Sequence, residues 1–212
     1  MVDNIIKDFE ELIKSEKEFW EKFKSQYVTS AEPKNWLSPE KEVINAMIAE
    51  VAKLSNRYKE LLNSVISKLT LEQKLQIDDL ICSSMKHLVK LYVAVAILIK
   101  QNKDAGEKEL LIKDKDEILE LNSKYWNEIN QEIKKSYWDL QDKFIQKFGE
   151  TCEPFTIEDP HGDRVKIRSF FGHVVITNKK EKNLFAGSRE SYEIILKALK
   201  LNPDETKEEK VN

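Results

Sequence analysis

Two kinds of pattern meet within FGETCEPFTIEDPHGDRVKIRSFFGHVVIT, residues 148–177. Before it, apolar residues recur at steps of three and four with almost no glycine, which is typical of amphipathic helices. Within it, apolar and charged residues nearly alternate from Val165 to Phe170, and Pro160 with Gly162 predicts a tight turn. The expected fold is therefore mainly α, with an N-terminal bundle of coiled helices followed by a small α+β module that contains a β-hairpin.

These patterns divide the chain into four predicted regions. A helical domain covers residues 1–104, and a long helical connector covers 105–150. A small β-rich module with a terminal helix follows at 151–201. The tail, 202–212, is expected to be disordered, because it is charged and has few large apolar residues.

Caps and breaks set the predicted limits of the elements. Ser38 is expected to cap the second helix, with Pro39 at its first position. Thr70 starts a capping-box pattern for the third helix, and Gly149 is expected to end the fourth. The predicted helices are Asp3–Tyr27, Pro39–Leu69, Thr70–Gln101 and Lys108–Phe148, the last with a charged stretch, Lys113–Glu117, where its continuity is left open. The later predictions are strands at Phe155–Ile157, Val174–Thr177 and Leu184–Ala186, a lysine-rich loop at Asn178–Asn183, and a last helix capped by Ser188.

Composition favours a reduced, cytoplasmic protein. Cys82 and Cys152 stand far apart, and no secretory signal precedes them. The longest apolar run, Leu88–Ile99, has 12 residues and is broken only by Lys90, whereas a helix needs about 20 to cross a bilayer. We therefore expect no membrane segment.

No catalytic constellation stands out, so we expect neither an enzyme nor a cofactor. Asp159, His161 and Asp163 alternate and resemble metal ligands, but Asp is also favoured in turns such as this one. Glu158-Asp159 beside a strand is compatible with a metal-dependent nuclease, although the nearby strand carries Lys166 without an acidic partner. The metal site and the nuclease site are therefore minor alternatives, and the favoured interpretation is a turn without a catalytic role.

Large aromatic residues are frequent for helices of this kind. Core packing explains most of them, while any that stay on a surface are suited to a protein partner, since Trp and Tyr dominate interface hot spots. The candidate interface residues are Trp20, Phe23, Tyr27, Tyr92, Trp126, Trp138, Phe155 and Phe171.

The second candidate site is a basic segment in the C-terminal module. It has six Lys and Arg residues against a single acidic one, Glu181, although the net charge of the whole chain is −3. Phe170 and Phe171 lie inside it, a composition that suits nucleic acid. An ordinary exposed hairpin or a site for an acidic protein fits the same residues. The basic residues are Arg164, Lys166, Arg168, Lys179, Lys180 and Lys182.

Several motifs, in order along the chain, resemble those of the GINS replication factors. The similarity is to the archaeal subunit type, in which a helical A domain precedes a small β-rich B domain. The motifs are Glu18–Phe23 through Tyr27, Asn56–Leu62 with Leu69–Lys74, Pro154-Phe155, Pro160–Asp163, Phe171–Val175 and Ser191–Leu199.

This resemblance implies a non-catalytic scaffold for DNA replication. A GINS-like subunit would assemble with a sister GINS-like subunit into an oligomer through its helical faces. It would couple the MCM helicase to a RecJ-like cofactor, with the small module docking on a partner. The alternative is a DNA-binding protein that grips phosphate with the basic segment and uses its helices to oligomerise.

Overall fold

The computed structural model describes residues 2–102 and 108–202, and it confirms a mainly α chain with a small α+β module. Two compact units are present, Met1–Trp126 and Asn127–Asn212. The domain limits expected from the sequence stay predictions, and the expected tail beyond Asn202 lies outside the described residues. The elements are α1 (Val2–Tyr27), a short 3-10 helix (Pro33–Asn35), α2 (Lys41–Lys68), α3 (Leu71–Gln76), α4 (Asp78–Gln101), α5 (Lys108–Phe148), β1 (Phe155–Glu158), β2 (Arg164–Phe170), β3 (His173–Thr177) and α6 (Arg189–Ala198).

Two predicted helix limits are wrong. The second helix begins at Lys41 after Glu40, which makes no side-chain cap, so Ser38 does not cap it. The third is divided at Ile77, although the capping box of Thr70 and Gln73 is present as expected. Asp78 and Asp79 follow the break, and acidic residues in the first turn favour a new helix start.

The fourth helix is continuous from Lys108 to Phe148. Its charged stretch does not interrupt it, because Asp114 and Glu117 both pair with the ammonium of Lys59 on α2. Gly149 ends it as predicted, with a φ of 95° and an N–H that donates to the Ile145 carbonyl at 2.7 Å. This left-handed conformation is one that glycine adopts easily.

The helical unit packs α1, α2 and α4 against one another. Its interior holds apolar side chains at helical spacing, such as Phe9 of α1, Val51 of α2 and Leu88 of α4. By length and composition α4 is apolar enough to cross a membrane, with a mean hydropathy of 1.5. Of that apolar stretch 39% is buried inside the structure, where α4 packs against α1 and α2, and a single such helix is weak evidence for a membrane span.

The C-terminal unit is built on an antiparallel sheet in the order β1-β2-β3. Alternate side chains of β2, such as Val165 and Ile167, are buried on one face. That face is covered by the end of α5 and by α6, with Phe144 and Phe148 of α5 packed against Phe155. The predicted strand at Leu184–Ala186 is wrong, because this segment only runs beside β3 through one hydrogen bond from Leu184 N–H to the Ile176 carbonyl.

Candidate nucleic-acid interface

The basic residues of β2 all lie on the sheet face opposite the buried one. Side chains alternate along a strand, so burial of Val165 and Ile167 forces Arg164, Lys166 and Arg168 outwards. Successive members of this row are two residues apart, or about 7 Å. We call these three residues the basic row.

Strand register leaves the basic row with few acidic neighbours. Lys166 stands between Thr156 of β1 and Thr177 of β3, and Arg168 stands opposite Val175. Lys166 has no ion-pair partner among the described residues. At the start of β2, Arg164 stands opposite Glu158 of β1, and the Glu158 carboxylate also lies 3.7 Å from the Lys197 ammonium. Two of the three cations therefore lack an acid directly opposite.

A concavity of about 680 Å³ lies over this face of the sheet. The basic row forms its floor, and the loop after β3 forms one wall. Both polar and apolar atoms line it, so an occupant would meet charge together with methyl groups. The lining residues are Pro154, Thr156, Arg164, Lys166, Arg168, Val175, Thr177, Asn178, Lys179, Glu181 and Asn183.

Asn178 organises the lysine-rich loop, residues 178–183. Its Oδ1 accepts hydrogen bonds from the backbone N–H groups of Lys180 and Lys182, at 3.0 and 3.2 Å. Its own N–H donates to the Lys182 carbonyl at 3.1 Å. The three lysines of this loop are exposed, and Lys179 lines the concavity. Sequence reasoning did not single out Asn178, although asparagine is a common residue for stabilising turns.

An exposed aromatic pair lies next to Arg168, at the end of the basic row where β2 meets the β2–β3 turn; we call this the inner end. The rings of Phe170 and Phe171 are 4.4 Å apart, and their side chains are 43% and 77% exposed. The Arg168 guanidinium lies 4.9 Å from the centre of the Phe170 ring, which favours a cation–π interaction. Phe171 and Gly172 form the β2–β3 turn with φ of 48° and 73°, the two positive values that a type I′ hairpin turn requires.

The turn that resembled a metal site has a structural role. Asp159 is buried, and its Oδ1 accepts hydrogen bonds from the N–H groups of His161 and Asp163, at 2.9 and 2.8 Å. Among the described residues, no group of three or more His, Cys, Asp or Glu side chains is placed to hold a metal. The hydrogen bond from the Lys179 ammonium, at 2.8 Å, lowers the pKa of Asp163. This exposed pair joins the turn to the loop of residues 178–183.

The candidate protein-interface residues fall into three groups by exposure. Phe23, Tyr92 and Phe155 are buried inside their own units, where they contribute to the core. Trp138 and Phe171 are 59% and 77% exposed. The half-buried members are Trp20, Tyr27 and Trp126.

Sequence reasoning missed a buried carboxyl group in the helical unit. Glu16 of α1 is fully buried, and burial raises its pKa to about 8. The Ser84 hydroxyl donates to its Oε1 at 2.6 Å, while Oε2 lies 3.7 Å from Nδ1 of His87. Burial, with the nearby charges of Lys17 and Lys90, lowers the pKa of His87. Both groups are therefore neutral near pH 7, so this contact is not an ion pair.

A second polar cluster joins α2, α4 and α5 within the same unit. Burial opposes ionisation of Asp114, but hydrogen bonds from Lys59 and Tyr92 outweigh it and lower the pKa of this carboxyl. Burial also disfavours the charged form of Lys59, yet its bonds to Asp114 and Glu117 raise its pKa. Burial raises the pKa of Tyr92. Lys59 and Tyr92 both donate to Asp114, so the polar groups of these three residues are paired within the fold.

Comparison with known proteins leaves the GINS resemblance untested. The motifs that carry it lie on α1, on α2 and α3, and in the C-terminal unit. No family model matches this sequence, and no match is found among curated proteins or solved structures.

Proposed function

We propose that the C-terminal unit of this protein binds nucleic acid on the open face of its sheet. The observation that carries the proposal is the basic row, Arg164, Lys166 and Arg168, on the floor of a concavity that Lys179, paired with Asp163, also lines. Phosphate oxygens are strong acceptors for Arg and Lys, and counterions released from a nucleic acid drive binding to such a row.

The basic row is positively charged, whereas the chain as a whole carries a net negative charge. The protein carries a formal −3, so a non-specific attraction of the entire surface to a polyanion is not expected. Binding would have to arise where cations are concentrated on one face. The structure concentrates them through strand alternation, which brings residues separated in sequence by neutral side chains into a single row.

Salt-dependent binding tests the proposal. The probe is a fluorescein-labelled oligothymidylate of about 20 nucleotides, longer than the site expected for one small sheet module. The full chain is titrated into it at several salt concentrations. The variant Arg164→Gln/Lys166→Gln/Arg168→Gln should bind more weakly, and the slope of log K against log salt should fall by about 2, from about 0.7 per lost phosphate contact.

A matched control separates local from net charge. Lys134→Gln/Lys135→Gln/Lys143→Gln removes the same charge from exposed positions of α5 in the same unit. It should leave the slope unchanged. The proposal would be contradicted by an equal loss of affinity in both variants, or by no binding of the unaltered chain at low salt. Tighter binding to an acidic peptide than to the oligonucleotide would indicate that the basic row binds a protein partner instead.

A second candidate function is the GINS-like assembly role. The observation that favours it is the exposure of large aromatic side chains in the C-terminal unit, where Trp138 is 59% exposed and Phe185 is 85% exposed. Exposed rings of this size are suited to anchoring a protein partner. In this role the chain is a scaffold subunit that joins a sister subunit, the MCM helicase and a RecJ-like cofactor.

Native purification tests this second role. The chain is tagged at its C-terminus, and the mass and composition of the complex recovered from its own cells are measured. Recovery of a sister subunit or MCM, reduced by Trp138→Ala, supports the assembly role. A chain that is recovered alone, or only with nucleic acid, contradicts it.

A further inference from the structure

We infer that the nucleic acid taken by the basic row is single-stranded, with one base stacked on the Phe170–Phe171 pair. This inference rests on the proposed function and narrows it to a ligand class. Its evidence is the placement of the aromatic pair next to the basic row, since Phe170 is the last residue of β2 and Phe171 begins the turn that follows.

The basic row suits an extended backbone. Its three cations follow β2 in a nearly straight line with steps of about 7 Å, because the side chains of one face repeat every second residue. An extended single strand can lay successive phosphates along such a line. The phosphates of a duplex instead follow a convex helical path, which departs from a straight row on the floor of a concavity.

The aromatic pair supplies the contact that a duplex lacks. In a duplex each base is stacked between its neighbours, so its flat face is not available to a protein ring. An unpaired base offers that face, and stacking on an exposed Phe or Tyr is a recurrent mode of binding single strands. Phe170 points to the same side of the sheet as Arg168, whose guanidinium contacts its ring.

The geometry also explains the high exposure of Phe171. A phenyl ring that is 77% exposed at a position with a φ of 48° gains little from folding, since both its hydration and its backbone conformation are unfavourable. Asn or Gly would suit this turn position better. A stacking role accounts for an aromatic residue there.

Four matched probes test the inference with the full chain. They are oligothymidylate, the same thymine sequence on a ribose backbone, a duplex of the same length, and a strand whose sugar–phosphate chain carries abasic sites in place of bases. We expect the two base-bearing single strands to bind at least tenfold more tightly than the duplex at equal salt. The abasic strand should be about fivefold or more weaker than oligothymidylate, the loss expected for one stacked base.

Variants of the rings locate the stacked base. Phe170→Leu and Phe171→Leu should each weaken binding of oligothymidylate and leave the abasic strand unaffected. Phe185→Leu is the matched control, because Phe185 is 85% exposed and lies outside both β2 and the β2–β3 turn. It should bind both strands as the unaltered chain does.

The outcomes separate this inference from the proposed function. If the duplex binds as tightly as the single strands, and the Gln variant of the basic row weakens all probes, nucleic-acid binding stands and the single-strand inference is wrong. If the abasic strand equals oligothymidylate, stacking is wrong. If none of the probes binds, both fail. A preference between the ribose and deoxyribose strands, which carry the same base, would assign RNA or DNA as the source of the ligand.

Discussion

Glu16 and Lys59 of the helical unit lie in an environment opposite to that of the basic row in the C-terminal unit. In the first, Glu16 is fully buried and Lys59 is held by two carboxylates, so these groups are used to specify how helices pack. In the second, the basic row lies on an open face, and Lys166 is without an ion-pair partner among the described residues. Burial makes a polar group costly to change, whereas exposure leaves it available to a ligand.

This difference predicts where a substitution alters stability and where it alters binding. In the helical unit the removal of one polar atom should change the free energy of unfolding. On the open sheet face the removal of a whole charge should leave that free energy almost unchanged and change only binding. The following predictions run from the largest expected effect to the smallest.

The largest effect is expected at Glu16. Its pKa is about 8 in the folded chain against 4.5 for the free group, so the folded state holds a proton between these values that the unfolded state has lost. The stability that depends on this proton is present at low pH and is lost as pH rises towards 8. Glu16→Gln imitates the protonated group and keeps an acceptor for Ser84. We compare the free energy of unfolding of this variant with that of the unaltered chain. The difference should rise in favour of the variant by on the order of 3 kcal/mol from pH 5 to pH 8, as measured by urea unfolding.

A control on the same helix isolates the buried site. Glu10→Gln changes an exposed carboxyl of α1, and its effect should stay within about 0.5 kcal/mol at both pH values. If Glu16→Gln behaves in the same way, Glu16 is not the buried, protonated group that the contrast between the two units requires.

A smaller loss is expected when the hydroxyl of Tyr58 is removed. This hydroxyl donates to Asn122 Oδ1 at 2.6 Å, and both side chains are buried. Tyr58→Phe leaves the amide oxygen without its donor and should lower the free energy of unfolding by about 1–3 kcal/mol. Urea unfolding followed by circular dichroism measures it.

The double variant Tyr58→Phe/Asn122→Leu shows whether the loss comes from an unpaired atom. It removes both polar partners and should recover part of the stability. If the double variant instead loses as much free energy of unfolding as the two single variants together, packing and not the hydrogen bond causes the loss of stability at this position.

Local sequence signals predicted much of the fold and little of the site. Thr70 and Ser188 cap their helices as expected, because capping depends on residues only three apart. The break at Ile77 was missed, since the apolar pattern runs through it. Tertiary packing, which short-range patterns do not contain, decides such features.

Glu16 and the basic row show the same limit at the level of sites. Glu16 stands seven residues from both Phe9 and Phe23, which are buried on α1, so the spacing alone was a signal that it faces the core. The near alternation from Val165 to Phe170 was enough to place the basic residues of β2 on one face, but the neutral residues opposite Lys166 and Arg168 depend on the register of β2 with β1 and β3. The role of Asn178 in holding the lysine loop was visible only in three dimensions.

The smallest effect on stability is expected on the open face. Lys166 has no ion-pair partner among the described residues, so Lys166→Gln should change the free energy of unfolding by less than about 0.5 kcal/mol. Ile167, the next residue along β2, is fully buried, and Ile167→Val should cost about 0.5–1.5 kcal/mol. Hydrogen exchange of the β2 amides measures both in the unit concerned. A larger loss for Lys166→Gln than for Ile167→Val would mean that this lysine stabilises the sheet, and its exposure would then no longer argue for a ligand.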